Sequence, residues 1–277
     1  MASVGSLLDK YPKIPIAERE LLLAHCMGTD RAWLLAHPDA PVSLFSAIKF
    51  FRLSRHVAHG MPLAYVIGEQ WFCSQPFIVQ PGVLIPRPET EQLVELAGSL
   101  LDRYLPQVRC IDVGTGSGCI AISLALAHPT AQITAIDTSR TALRVAKKNA
   151  RRHNVLRRIK FCRGNLLTQY RFFMTEPTII CANLPYLTSE ECAELPCSIR
   201  DHEPRIALDG GEDGLDPYRA IFAQLATVVD TMCIALFEID PRRERALRKL
   251  VQQELPSWDM DFHYDLAGRC RILEIRS

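Results

Sequence analysis

Residues 111–122 read IDVGTGSGCIAI: an apolar run, glycines at 114, 116 and 118, then a second apolar run. The β-branched residues before the glycines predict a buried strand. The stretch after them, CIAISLALAHP (119–129), predicts a helix stopped by Pro129. Glycines at such a turn let the backbone approach a ligand closely, and the helix start offers free N–H groups. Asp137 ends the next predicted strand, QITAIDT (132–138), where a carboxylate can accept both hydroxyl protons of a ribose. Strand, glycine loop, helix, strand and acid together point to a cofactor carrying a nucleoside.

Outward from this loop the alternation continues. TEQLVELAGSLLDRY (90–104) is a predicted helix, VRCIDVG (108–114) a strand, ALRVAKKNARRHN (142–154) a helix, and IKFCRGN (159–165) and TIICANLP (178–185) are strands. YRAIFAQLATVVD (218–230) is a helix before the strand MCIALFEI (232–239). Such alternation implies a mostly parallel sheet with helices on both faces. FHYDL and CRILEIR, separated by AGR, predict a terminal antiparallel hairpin, which brings the sheet to seven strands.

The first seventy residues have a different texture. AERELLLAHCMG (17–28), with Leu21, Leu22, His25 and Cys26 at helical spacing, DRAWLLAHP (30–38) and VSLFSAIKFFRLSRHVAHG (42–60) predict a small helical bundle. QWFCSQPFIVQPGVLIP (70–86) suggests a hairpin. The expected organisation is therefore a helical docking domain over 1–72, a β-hairpin linker over 73–86 and an α/β domain over 87–277.

The composition, 48% hydrophobic and 23% charged over 277 residues, is ordinary for a globular protein. A formal charge of +1 gives no global drive toward nucleic acid or an anionic membrane. No apolar run is long enough to span a bilayer, and MASVGSLLDKYPKIP has no signal-peptide pattern. The ten cysteines are scattered without a C-x-x-C pair, and HVAH (56–59) has no second ligand cluster. These features predict reduced thiols in a cytoplasmic protein and no metal site. His25, His37, His56 and His59 read as packing or surface residues. Ten Lys or Arg between Arg140 and Arg163, with no acid, form either a solvated helix face or a surface for RNA or a protein partner.

With Asp112 ahead of the glycines, the D-x-G-x-G-x-G pattern resembles the first motif of the class I S-adenosylmethionine-dependent methyltransferases. That resemblance implies a Rossmann-like sheet whose loop Gly114, Thr115, Gly116, Ser117 and Gly118 carries the amino-acid end of S-adenosylmethionine. Asp137 would then hold the ribose. Asn165 falls where many of these enzymes have an acid for the adenine amino group; a carboxamide oxygen accepts the same bond more weakly.

ANLPYL (182–187) then acquires a purpose. The Asn183 side-chain oxygen and the Pro185 carbonyl can each accept one N–H of a flat amide or exocyclic amine, aiming its nitrogen at the methyl carbon. Tyr186 can cover the group, and Leu184 keeps the turn's shape. This motif suits adenine N6 in RNA or DNA as well as a glutamine amide.

PLAYVIG (62–68), PGVLIPRPETEQLVE (81–95), HEPRIALDGGEDGLDPYRAI (202–221), DLAGRCRILE (265–274) and ELLLAHCMGTDRAWLLAHPD (20–39) together closely resemble the release-factor glutamine methyltransferases of the HemK/PrmC family, over nearly the whole chain. The resemblance implies N5-methylation of the glutamine in the Gly-Gly-Gln loop of class I release factors, and a helical domain that helps dock the factor. It also implies a substrate clamp of Asn183, Leu184, Pro185 and Tyr186, and a cofactor site of the glycine loop, Asp137, the Asn165–Leu166 step and Asn183. Arg87 would be either a substrate contact or an ion-pair partner. Asp240 stands where the family usually carries glycine. The competing reading is an N6-adenine methyltransferase, and a third is a silent fold that only binds a partner.

Overall fold

The computed structural model describes residues 2–168, 176–227 and 231–277. Its strands, in chain order, are β1 Glu69–Phe72, β2 Gln75–Ile78, β3 Arg109–Val113, β4 Gln132–Asp137, β5 Ile159–Arg163, β6 Thr178–Asn183, β7 Cys233–Glu238, β8 Asp259–Tyr264 and β9 Cys270–Arg276. Seven of them form one sheet in the order β5-β4-β3-β6-β7-β9-β8. The first five of that order run parallel, while β9 lies antiparallel to both β7 and β8. The terminal hairpin expected from FHYDL and CRILEIR therefore closes the sheet.

The central strands are buried on both faces, so they read as unbroken apolar runs rather than alternating ones. Alternation appears instead in where their side chains go. Cys110, Ile179, Cys181, Ile234 and Leu236 join one core. Ile111, Val113, Ile180, Ala182, Ala235 and Phe237 join the other. Successive strand residues point to opposite faces. By the same period Asp112, Asn183 and Glu238 project toward the first core from the carboxyl ends of three neighbouring strands, with Asn183 paired to Glu238 in register.

Helices cover both faces. The larger unit holds α6 Thr90–Tyr104, α7 Cys119–Ala127, α8 Arg140–Arg152, α9 Ser189–Glu194, α11 Asp216–Leu225 and α12 Glu244–Glu254. Leu93, Ala97 and Leu101 of α6 and Ile120 and Leu124 of α7 fill the first core. Ile221, Phe222 and Leu225 of α11 and Leu247 and Val251 of α12 fill the second. The end of the helix expected over 218–230 falls partly on 228–230, outside the described residues.

The smaller unit comprises Met1–Glu69 together with Pro196–His202, and the larger one Gln70–Leu195 with Glu203–Ser277. In the smaller, α1 Val4–Leu8, α2 Ile16–Met27, α3 Arg31–Ala36, α4 Leu44–Ala58 and α5 Leu63–Ile67 surround a core of Val4, Leu7, Leu22, Leu23, Leu34 and Phe50. Asp30 and Ser43 cap α3 and α4 by accepting the N–H of Trp33 and Ser46. The face of α2 differs from the expected one: Leu23 is buried while Leu21 is 45% exposed. A heptapeptide carrying α10 Cys197–Arg200 also belongs to this unit, where Cys197 lies against Gly60.

The strands of the expected 73–86 linker actually span 69–78, with the turn at Cys73 and Ser74, both at positive φ. The ladder stops at Ile78, and Phe72 and Phe77 pack edge to face inside the first core of the larger unit.

Candidate active site

At the carboxyl ends of β3, β4 and β6 a cavity of about 340 Å³ opens. Its wall includes Arg87, Gly114, Thr115, Gly116, Ser117, Asp137, Asn165, Leu166, Asn183, Leu184 and Pro185. These side chains come from stretches far apart in sequence and are brought together by parallel register. Two of the expected site residues stand off the wall. Gly118 lies behind the loop, where an added Cβ would sit 2.9 Å from Ile122 and 3.0 Å from Ala146. Tyr186 packs against the second core.

The glycine loop is held from within. Gly114 and Thr115 both donate their N–H to the Ile136 carbonyl at 2.9 Å, and Gly118 donates to the Thr115 carbonyl at 2.7 Å. Gly116 and Gly118 have φ of 56° and 84°, a region that suits glycine. Behind the loop Asp112 is fully buried. Its Oδ2 accepts from the Thr115 hydroxyl at 2.6 Å and the Ala121 N–H at 3.2 Å, while Oδ1 has no partner. Burial pushes this carboxyl up to about 7, against the pull of those two donors.

Asp137 is half-buried, and its carboxylate accepts N–H groups from Gly116 at 2.9 Å and Ser139 at 2.8 Å. Burial raises its pKa; the N–H groups of Ser139, Gly116 and Thr138 counter it. Asn165 and Leu166 follow β5, and Leu166 has φ of 51°, strained backbone for a leucine. The strain is held by Gln224, whose Oε1 accepts the Leu167 N–H at 2.6 Å.

At the end of β6, the Asn183 Nδ2 donates to the Thr90 hydroxyl at 3.1 Å. The turn that follows is packed from outside by the loop 209–214. A Cβ on Gly210 would lie 2.8 Å from the Pro185 carbonyl oxygen, and one on Gly214 would collide with that of Tyr186. Burial raises the Tyr186 phenol, helped by the nearby Glu238 and Asp240, so it stays protonated. Arg87 forms an ion pair with Glu203 at 2.5 Å, and Glu203 also accepts the Ile85 N–H at 3.1 Å. The ion-pair alternative for Arg87 is therefore realised. Asp240, where the resemblance implies glycine, caps a short turn before α12 and pairs with Arg242.

Several members of this site carry no local signal in the sequence. Asn149, buried on α8, donates to the Ser117 and Ile78 carbonyls and accepts the Ile78 N–H. It thereby fastens the glycine loop to β2. Thr90, Glu203 and Glu238 are likewise buried polar groups whose partners are remote in the chain. An acid or amide inside an apolar helix or strand is the one visible hint.

The donor set suits S-adenosylmethionine. Among the described residues the wall carries the carboxylates of Asp137 and Asp209 and a single guanidinium, Arg87, already engaged by Glu203. The Gly211 N–H, the Ser189 hydroxyl and Arg205 hold Asp209 below the usual carboxylate range. Such a wall favours a cationic ligand and offers nothing to neutralise a pyrophosphate. Among the described residues no cluster of three or more metal-ligating side chains occurs, and no helix is long and apolar enough to cross a membrane. None of the ten cysteines forms a disulfide.

Known proteins resemble this chain in sequence and in fold. The family of the PrmC N-terminal domain matches residues 5–68, and a methyltransferase domain family matches 105–172. The release factor glutamine methyltransferase of Bacillus subtilis (strain 168) is 34% identical over 263 residues, covering 92% of this chain and 88% of its own. That of Nitratidesulfovibrio vulgaris is 36% identical, covering 95% of this chain and 88% of its own. Among solved structures, the catalytic domain of human Mettl16 in complex with an RNA hairpin superposes with a TM-score of 0.52, covering 82% of this chain and 91% of that one. At 14% identity that likeness speaks only to the methyltransferase fold. Identity at this level across nine-tenths of the relatives' length decides the matter: the chain belongs to the release factor glutamine methyltransferases.

Proposed function

We infer that this chain transfers a methyl group from S-adenosylmethionine to the side-chain amide nitrogen (N5) of the glutamine in the Gly-Gly-Gln loop of class I release factors. One observation carries the reading beyond family membership. The Asn183 Nδ2 is tied inward to Thr90, which leaves the carboxamide oxygen for the cavity.

In this reading the loop Gly114–Gly118 would hold the amino-acid end of the cofactor, Asp137 the ribose, and Asn165 with Leu166 the adenine. When bound, S-adenosylmethionine supplies a methyl already activated on a sulfonium, so no base is needed before attack. The chain's own task is orientation. Asn183 Oδ1 and the Pro185 carbonyl each accept one N–H of the glutamine amide, which fixes its plane and aims its lone pair. The same two oxygens favour the positive charge that grows on nitrogen as the N–C bond forms. One N–H proton is lost afterwards. Leu184 holds the turn, Tyr186 supports it from the second core, and Arg87 with Glu203 shapes the adjoining wall. Reduced cysteines and a translation factor as substrate fit a cytoplasmic enzyme.

The test is methyl transfer from labelled S-adenosylmethionine to a purified release factor, to its Gln→Ala loop variant and to ribosomal RNA, side by side. Label on the factor that vanishes with the Gln variant is expected. Label on RNA alone would overturn the substrate and make the exposed basic face of α8 its binding surface.

A further inference from the structure

We propose that Glu238 is a positioning residue of the amide clamp: acting directly and through the Thr90 hydroxyl, it decides which end of the Asn183 carboxamide faces the cavity. The proposal rests on reading Asn183 as the group that receives the glutamine amide.

The two ends of a carboxamide are nearly equal in size, so packing alone does not choose between them. The choice matters, because an amide NH2 must meet an oxygen, and a flipped Asn183 would set NH2 against NH2. Thr90 cannot settle it unaided, since a hydroxyl both donates and accepts. An ionised carboxylate only accepts. Glu238 is 3% exposed, stands beside Asn183 in the β6–β7 register, and projects from the same face of the sheet. Both the Thr90 and the Asn183 side chains favour its charged form by hydrogen bonding. With the Thr90 proton committed to Glu238, the Thr90 lone pair is left for Asn183 Nδ2, the bond found at 3.1 Å. Donation then runs one way, from Asn183 to Thr90 and directly to Glu238, and from Thr90 to Glu238.

Nothing else in its surroundings accounts for this carboxylate. It makes no ion pair within 4.0 Å among the described residues, its Oε2 is buried without a partner, and it is not part of the cavity wall. The groups facing it are Glu89 before α6, Arg271 on β9, and the phenols of Tyr186 and Tyr218. The Tyr218 hydroxyl is already spent on the Glu238 backbone carbonyl at 2.8 Å. Burial, helped by Glu89 and opposed by Thr90, Arg271 and Asn183, pushes the carboxyl up to about 7. Protonated, it can donate to Thr90. The relay then reverses, and Asn183 can turn its NH2 toward the cavity.

The test uses the full chain. In nitrogen-15 spectra the Asn183 side-chain NH2 signal, identified by its loss in Asn183→Asp, is expected to shift with a midpoint near 7 and to lose that midpoint in Glu238→Gln. In methyl transfer to the release factor, Glu238→Gln is expected to lower kcat about tenfold or more. It should leave KM for S-adenosylmethionine within about twofold and flatten the rise of kcat with pH. Should Glu238→Gln fail to fold, Thr90→Val removes the hydroxyl arm and must reproduce both effects in the same direction, with Thr90→Ser restoring them. Wild-type kcat and an unchanged pH profile in Glu238→Gln, or an Asn183 signal indifferent to pH, would overturn the proposal. If the wild-type chain labels no release factor, the substrate reading fails instead, and the Asn183 signal still decides the orientation.

Discussion

At the level of single side chains, Asn183→Ala is expected to lower kcat by roughly 100-fold or more, because a preorganised acceptor at the reacting nitrogen is lost. Cofactor affinity and thermal stability should move far less, since Asn183 is only part-buried and its side-chain bonds go to Thr90 and Glu238 rather than to the glycine loop. Labelled methyl transfer beside a thermal melt separates the two. Asp137→Ala is expected to do the reverse, raising KM for S-adenosylmethionine about 10-fold or more while kcat falls less. Steady-state kinetics over cofactor concentration checks it. Asp137, the glycines and Asn183 are legible in the sequence because each belongs to a local pattern: glycines at a strand end, an acid at the next strand tip, an amide before a proline turn. Thr90, Asn149 and Glu238 are not. Their meaning lies in partners such as Asn183 for Thr90 and Ile78 for Asn149, which only the folded register brings near.

At the level of elements, the loop 209–214 serves as the outer mould of the Asn-Leu-Pro-Tyr turn. Gly214 has φ of 77°, and a Cβ there would collide with the Tyr186 carbonyl, so Gly214→Ala must displace one loop or the other. Its expected effect is a loss of about 1–3 kcal/mol in stability with a large fall in kcat, at nearly constant cofactor affinity. Denaturant unfolding and a cofactor titration on one preparation test it; equal loss of both functions would mean the whole cavity had collapsed. The sheet strands and the long helices were readable because burial on two faces or on one stripe leaves a periodic trace. The short helices α9 and α10 leave none, being too short for a period to show. The heptapeptide 196–202 belongs to the helical unit through spatial neighbours such as Gly60, which no linear pattern announces.

At the level of the whole molecule, two buried acids tilt stability against alkali. Asp112 and Glu238 are both raised to about 7, from ordinary values of 3.8 and 4.5. A carboxyl raised on folding stabilises fully below its unfolded value and loses that contribution as pH rises through the folded one. For Asp112 the span corresponds to on the order of 4 kcal/mol. Asp265, lowered to about 2 first by the Arg269 N–H, works in the opposite sense and only in stronger acid. The melting temperature without cofactor is therefore expected to fall from about pH 4 to about pH 7 and to level off above, and Asp112→Asn to lessen that slope; a melt series across pH 4 to 7 would contradict it by staying level. The division of the chain has a different kind of consequence. Because the helical unit takes in both 1–69 and 196–202, it is written in the gene in two places and is no exchangeable cassette. A chimera that swaps only the first seventy residues for a relative's would leave a foreign heptapeptide among the new helices. Substitutions in one segment that repack this unit's helices must therefore be matched by substitutions in the other.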